Sequence, residues 1–179
     1  INDMTNNSPE IYDGDITRNV DWKIKSFEFD NMFCYGKGNK IDFTKLNGII
    51  GVVAPNHSGK SAIMDAIAYT IYDVCSRTTK AIDVMNKKKQ TFRAKLNLEI
   101  NGMDYWIERD AQYKVRNHKD GTKTHMCPVK VRFYMIDDSG VEVDLSGAAR
   151  FNSQYGGGTN EEIKKVLGTF DDFILTSLS

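Results

Sequence analysis

From Phe92 to Ile100 the chain alternates strictly: Phe92, Ala94, Leu96, Leu98 and Ile100 are apolar, and Arg93, Lys95, Asn97 and Glu99 between them are polar. A period of two predicts a strand with one buried face. Asn101-Gly102 follows, a pair that accepts the positive φ of a tight hairpin turn, so Tyr105-Trp106-Ile107 should return antiparallel. Val129 to Ile136 reads as a third strand, and Asp137-Asp138-Ser139-Gly140 turns it into Val141, Val143 and Leu145. Residues 117–128 between them show no period and read as a polar loop. Upstream, Trp22 to Phe29 is a strand whose phase slips, with Trp22 and Ile24 on one side and Phe27 and Phe29 on the other. Such a slip predicts a bulge or a strand covered on both faces. A turn over Gly36 to Lys40 then leads into Ile41-Asp42-Phe43.

The period lengthens elsewhere. Ile63, Ile67 and Ile71, with Ala66 and Thr70 beside them, form the stripe of a helix packed on a sheet and ending near Asp73 to Ser76. Thr159 and Glu162 make a capping box for a helix over Glu161 to Leu167, which Gly168 stops. Gly156-Gly157-Gly158 before it reads as a hinge or loop, and the apolar stretch Phe170 to Ser179 as a packed segment. Residues 1–20 are rich in Asn and Asp without a hydrophobic period and are expected to be a mobile lead-in.

Between the apolar run Ile49-Ile50-Gly51-Val52-Val53 and the first helix stands Ala54-Pro55-Asn56-His57-Ser58-Gly59-Lys60-Ser61. A buried strand, a tight loop and a helix N-terminus in that order form a phosphate cradle. Loop N–H groups and the positive end of the helix dipole hold a β-phosphate, Lys60 reaches the β and γ oxygens, and the Ser61 hydroxyl ligates Mg²⁺. The pattern G-x-x-x-x-G-K-S would place glycine at 54, where this chain has alanine.

Composition limits the remaining chemistry. The 179 residues suffice for one substantial core. Lys plus Arg and Asp plus Glu are both 24, for a formal net charge of zero, yet the charges segregate. Residues 77–132 hold 14 basic and 6 acidic side chains, a net of +8. This band makes Lys87, Lys88, Lys89, Arg93 and Lys95 candidates for contacts to the DNA backbone, the alternative being a solvated charged hairpin. Cys34, Cys75 and Cys127 are widely spaced with no C-x-x-C pair, which suits a reducing, cytoplasmic or nuclear compartment rather than a disulfide framework. His118, His125 and Cys127 lack a fourth ligand at metal spacing. No signal peptide or long apolar run directs the chain to a membrane.

Two stretches imitate other ATPase motifs. Phe133-Tyr134-Met135-Ile136-Asp137-Asp138 looks like a hydrophobic strand ending in acids, and Leu145-Ser146-Gly147 like the start of an ABC-type signature. Their order is reversed relative to ABC-type ATPases, and Asp-Asp-Ser-Gly between alternating strands is an ordinary hairpin turn. No catalytic residue is therefore expected within the chain.

The sequence of motifs comprises the Asp30-Asn31-Met32-Phe33 bend, the phosphate loop and a helix ending in Cys75-Ser76-Arg77. A basic antiparallel hairpin, a capped helix and Phe170 to Ser179 follow. Over roughly residues 22–179 this order resembles the N-terminal ATPase lobe of the SMC-like DNA double-strand-break repair ATPases, the SbcC-like family. The resemblance implies an α/β P-loop NTPase fold of ABC-ATPase head type, with a mixed sheet, a phosphate-loop helix and antiparallel β-hairpins. It implies one partial domain over 21–179, ATP and Mg²⁺ as cofactors, and phosphate contacts from Asn56, Ser58, Gly59, Lys60, Ser61 and Ala62. Arg77 matches the family's arginine after the first helix, Phe33 stands where relatives often carry an arginine near the base, and His57 replaces a glycine. The implied partners are a second, C-terminal ATPase lobe across a coiled coil, a second head, a nuclease and double-stranded DNA. An SMC or RecF-like head is the nearest alternative. A nucleotide kinase or GTPase, or a non-catalytic binding lobe with a vestigial loop, lies further off.

Overall fold

The alternating stretch lies inside a six-stranded sheet. The computed structural model describes residues 22–46, 51–53, 55–56, 59–147 and 157–171. In chain order these form β1 (Trp22–Asp30), β2 (Asn39–Asp42), a 3₁₀ turn (Phe43–Lys45), α1 (Lys60–Tyr72), α2 (Ala81–Val84), β3 (Thr91–Ile100) and β4 (Met103–Gln112). There follow β5 (Lys114–Asn117), β6 (Lys123–Met126), β7 (Val129–Ile136), β8 (Glu142–Asp144) and α3 (Gly157–Leu167). The sheet order is β2-β1-β3-β4-β7-β8, and β5 with β6 makes a separate two-stranded ribbon. All pairings among the described strands are antiparallel.

Phase decides the faces. Phe92, Ala94, Leu96, Leu98 and Ile100 of β3 are all buried, and Phe27, Phe29, Ile107 and Phe133 join them beneath α1. The slip in β1 is a bulge: the register shifts between Ile24 and Ser26, so Lys25 is the extra residue. Trp22 and Ile24 pair with Ile100 and Leu98, while Phe27 and Phe29 pair with Leu96 and Ala94. One inserted residue thus returns both apolar pairs to the same face. At the β3–β4 turn, Asn101 and Gly102 take φ of 50° and 83°, the positive values that a twist-matched hairpin needs.

The opposite face carries a ladder of alternating charge. Lys40 pairs with Glu28 at 2.6 Å, Lys95 with Glu108 at 2.9 Å, and Arg132 with Glu108 at 3.4 Å and Glu142 at 2.7 Å. Trp106 and Tyr134 stack at 6.3 Å, with Lys95 over the first ring and Arg132 over the second.

One charge lies on the wrong side of this division. Arg109 stands on β4 between Ala94 and Val131, on the apolar face, and is completely buried. Its Nε donates to Thr70 O at 2.7 Å and its Nη2 to Ile71 O at 3.3 Å, which are carbonyls at the open C-terminal end of α1. Nη1 meets Asp73 at 3.1 Å, and Nη2 also donates to Asn160 Oδ1 at 2.8 Å. Asn160 Nδ2 in turn reaches Asp73 Oδ2 at 3.1 Å, which ties α3 to the end of α1.

Several expectations need correction. Gly51-Val52-Val53, the described part of the expected buried strand, has no strand structure, and Val52 and Val53 are 62% and 95% exposed. A strand needs neighbours for its backbone groups, and no described strand pairs with this run. The polar loop over 117–128 contains β6 and the end of β5. All eight ribbon residues are exposed, so their pairing rests on backbone bonds that leave no hydrophobic period to read. Helix α3 starts at Gly157, which puts Thr159 inside the helix rather than at its cap. Burial of Thr159 and the reach of Asn160 to Arg109 override the local capping signal. Gly168 stops α3 as expected, with φ of 82° and its N–H donating to Lys164 O at 2.9 Å. Phe170 packs edge-on against Tyr72 at 5.8 Å. The lead-in over 1–20 and residues 172–179 lie outside the described residues.

Removing the buried guanidinium strands Asp73 and two helix carbonyls. Arg109→Ala should lower stability by about 3–5 kcal/mol, measured as a shift in urea unfolding. Arg109→Met combined with Asp73→Asn should lose less, because no charge is left without its partner.

Candidate nucleotide-phosphate site

The first turn of α1 is built around a glycine. Gly59, the N-cap residue, has φ of 94°, in the left-handed region, and contributes no side-chain cap to the helix. A Cβ there would stand 2.5 Å from Cys34 Sγ and 3.3 Å from Tyr35 Oη. Backbone conformation and space therefore both require glycine. Tyr35 Oη also donates to Gly59 O at 3.1 Å, so the bend after β1 acts as a wall of the loop.

That bend holds its shape through strained but anchored residues. Asn31 and Phe33 have φ of 56° and 50°. Phe33 N–H donates to Val84 O at 2.6 Å, Asn31 N–H to Gly36 O at 2.8 Å, and Asn86 Nδ2 to Tyr35 O at 2.9 Å. Met32, fully buried, bridges to Met85. The bend is thus fastened to the segment following α2.

Lys60 and Ser61 open α1. Lys60 Nζ donates to Pro55 O at 2.9 Å across the loop. Ser61 Oγ accepts from Arg77 Nη2 at 2.6 Å. Arg77 Nε contacts Asp65 Oδ2 at 2.6 Å, and Ser76 Oγ donates to Asp65 Oδ1 at 2.6 Å. The Arg77 guanidinium also lies 5.8 Å from the centre of the Phe33 ring. Ala62 is buried, so only its backbone can face a ligand, and its N–H donates to Gly59 O at 2.9 Å.

This donor set fits a phosphate. An ammonium, a hydroxyl and a helix N-terminus without a side-chain cap converge on one turn, beside a glycine that Cys34 and Tyr35 wall off on its own side. Of the residues expected from the sequence, Gly59, Lys60, Ser61 and Ala62 share that turn, and Phe33 and Arg77 are brought to its rim. Asn56 lies in an exposed turn, while Ala54, His57 and Ser58 fall outside the described residues. The sequence reading missed Asp65, Ser76, Cys34 and Tyr35. Asp65 was detectable, since it follows Ser61 by four residues and so shares its helix face; the bend's approach to Gly59 has no local signal.

The basic band divides on inspection. Lys87, Lys88 and Lys89 occupy an exposed turn, which a bond from Tyr113 N–H to Gln90 O at 2.8 Å places beside the ribbon bearing Lys114, Arg116 and Lys123. Arg93 faces Asp110 at 3.9 Å. Lys95 is committed to Glu108. Burial pulls its pKa down, but hydrogen bonds to Glu108 and Tyr134 outweigh this and hold it above the ordinary lysine value. Burial pushes Glu108 up, and its bonds from Lys95 and Tyr134 bring it below the usual glutamate range.

The two stretches that imitate ATPase motifs make hydrogen bonds within the β7–β8 hairpin. Asp137 accepts from Ser139 N–H at 2.9 Å, Ser139 Oγ at 2.6 Å and Val141 N–H at 2.9 Å, and the serine hydroxyl leads these bonds in holding its pKa low. Ser146 Oγ accepts from Phe133 N–H at 3.0 Å, pinning the chain after β8. The ring nitrogens of His118 and His125 meet Thr124 and Tyr113.

The AAA domain family matches residues 26–174. The chain is 33% identical over 180 residues to the uncharacterized protein R555 of Acanthamoeba polyphaga mimivirus, covering 98% of this chain and 13% of that protein. It is 28% identical over 145 residues to the SbcC component of the nuclease SbcCD of Clostridium acetobutylicum, covering 76% of this chain and 11% of that one. Against the chromosome partition protein Smc of Fusobacterium nucleatum, identity is 28% over 94 residues, covering 49% of this chain and 8% of the relative. The chain therefore spans only a small part of these relatives' lengths. Among solved structures, the recombination mediator protein RecF with ATP superposes with a TM-score of 0.46 at 19% identity, over 66% of this chain and 29% of that one.

Gly59→Ala should destabilise the protein by at least about 1–2 kcal/mol, the cost of a left-handed non-glycine residue, with the clash against Cys34 added. Adding Cys34→Ala should relieve the clash and leave the backbone cost, as read from urea unfolding of the two variants.

Proposed function

This chain belongs to the AAA domain family, in its SMC-like, SbcC-like P-loop ATPase head branch, and we propose that it is the ATP-binding N-terminal lobe of a DNA-repair ATPase head. The observation that carries this reading is the convergence of Lys60, Ser61 and the uncapped start of α1 on one glycine-built turn. In this role residues 21–179 form one lobe, completed by a C-terminal lobe elsewhere in the parent protein. The small share of each relative's length that the chain covers supports that division.

Each residue's task follows from its chemistry. Lys60 would exchange Pro55 O for phosphate oxygens, and the Ser61 hydroxyl would serve as a ligand for Mg²⁺. The amides of Asn56 and Gly59 and of the first helical turn would hold the β-phosphate, with Ser58 joining them by resemblance. Bound Mg²⁺ and triphosphate would supply the charge that draws a second head onto the site. Water attack needs an orienting group and further charge stabilisation. Asp137 is consumed by its own turn, so we assign hydrolysis to the assembled head and not to this lobe alone.

The SbcCD likeness supports a nuclease as partner, and the Smc likeness favours a chromosome-organising head as the second reading. For double-stranded DNA, Lys87, Lys88 and Lys89 with Lys114 and Arg116 form the better surface, because Arg93 and Lys95 already face carboxylates. Cys34, Cys75 and Cys127 are free thiols, consistent with a reducing compartment. No described helix is long and apolar enough to cross a membrane.

Lys60→Ala should abolish binding of a fluorescent ATP analogue while leaving the unfolding free energy from urea titration within about 0.5 kcal/mol of wild type. Equal affinity in both proteins would remove the site.

Replacing Lys87, Lys88 and Lys89 together with Glu should weaken duplex binding and flatten its salt dependence, by roughly 0.9 in log–log slope for every DNA phosphate that these lysines neutralise. Unchanged binding in a salt titration would return this turn to a solvated surface.

A further inference from the structure

Arg77 occupies the position that gives it most leverage over Ser61. Its Nη2 donates to Ser61 Oγ at 2.6 Å, the oxygen to which the proposed function assigns Mg²⁺. A metal at about 2.1 Å from that oxygen would lie within about 4.7 Å of Nη2, even with the two on opposite sides. Two cations on one hydroxyl repel, so the guanidinium and a metal compete for that oxygen.

The hold on Arg77 is independent of Ser61. Its Nε contacts Asp65 Oδ2 at 2.6 Å, and Asp65 is 6% exposed with its other oxygen fixed by Ser76 Oγ. The Phe33 ring flanks the guanidinium on another side. Releasing Nη2 from Ser61 leaves the Nε contact with Asp65 intact. The arginine can therefore let go of the hydroxyl without leaving its seat.

We propose that Arg77, seated by Asp65, is the resident cation of the phosphate site before nucleotide binds and guards the Ser61 hydroxyl against Mg²⁺ until the metal arrives with nucleotide. This rests on the reading of Ser61 as a metal ligand. Free Mg²⁺ meets a hydroxyl already engaged by a positive charge, whereas a nucleotide-bound metal brings phosphate charge that compensates both cations. Arg77 is then a positioning residue for metal entry, and Asp65 the anchor that returns it.

The test is the Mg²⁺ dependence of binding of a fluorescent ATP analogue, measured for the full chain with and without EDTA. Arg77→Gln should lower the Mg²⁺ concentration for half-maximal binding by about five- to tenfold, with no gain in affinity in EDTA. Asp65→Asn, which loosens the seat while keeping its shape, should shift the Mg²⁺ requirement in the same direction by less. Urea midpoints establish that the variants are folded; Arg77→Lys, which keeps the charge but loses the two-atom fork, replaces any that is not and should also lower the requirement. A higher Mg²⁺ requirement in Arg77→Gln overturns the proposal. An equal loss of affinity with and without metal makes Arg77 an ordinary phosphate contact, and an unchanged profile makes it a surface ion pair. Lys60→Ala run alongside separates the two readings: if it binds as well as wild type, the phosphate site itself fails.

Discussion

A fully buried guanidinium holds this fold together. Arg109 projects from the apolar face of the sheet into the C-terminal end of α1, where it takes two helix carbonyls, Asp73 and Asn160. Desolvating an arginine costs several kcal/mol, so the arrangement is stable only because its donors are so fully engaged. Through it one strand and two helices share a fixed point. Helix α1 has 13 residues and is roughly 20 Å long at 1.5 Å per residue. Its N-terminal end, at Gly59 and Lys60, is thus aimed from a clamp at the far end.

The sheet separates two kinds of interaction. Its inner face is closed by Phe27, Phe29, Phe92, Leu96, Leu98 and Ile107 under α1, and each such side chain contributes on the order of 1.5–3 kcal/mol by leaving water. Its outer face is a set of cross-strand ion pairs braced by Trp106 and Tyr134. Each exposed pair is worth little, but together they neutralise much of the basic band in place. Local charge along a sequence is therefore a poor guide to local field, because antiparallel strands bring distant carboxylates opposite the lysines and arginines. The charge that remains available is concentrated on the turn over 87–89 and the ribbon.

The turn that opens α1 depends on the bend after β1 as much as on its own residues. Tyr35 and Cys34 press on Gly59, while Phe33 and Asp65 seat Arg77 beside Ser61. These contacts link three segments that are far apart in the chain. They also give the site a positive charge of its own before any ligand is present.

Local patterning determined a good deal by itself. The alternation of β3, the Asn101-Gly102 turn, the bounds of β7, the end of α1 near Asp73 and the bulge in β1 all follow from side-chain period and from φ preferences within a few residues. The start of α1 at Gly59, Lys60 and Ser61 was legible for the same reason, since it is set by residues contiguous in the chain. Tertiary structure decided what depends on a partner distant in sequence. Val52 and Val53 are apolar enough for a strand but have no paired neighbour among the described residues, and Thr159 carries a capping signal that Asn160's pull toward Arg109 overrides. Lys95 looks available until β4 sets Glu108 opposite it, and Arg109 looks like one more surface charge until the register of β4 turns it inward. Periodicity shows which face a residue occupies, but hydrogen bonds and ion pairs across the fold determine whether its charge is satisfied, and the chain alone does not record that pairing.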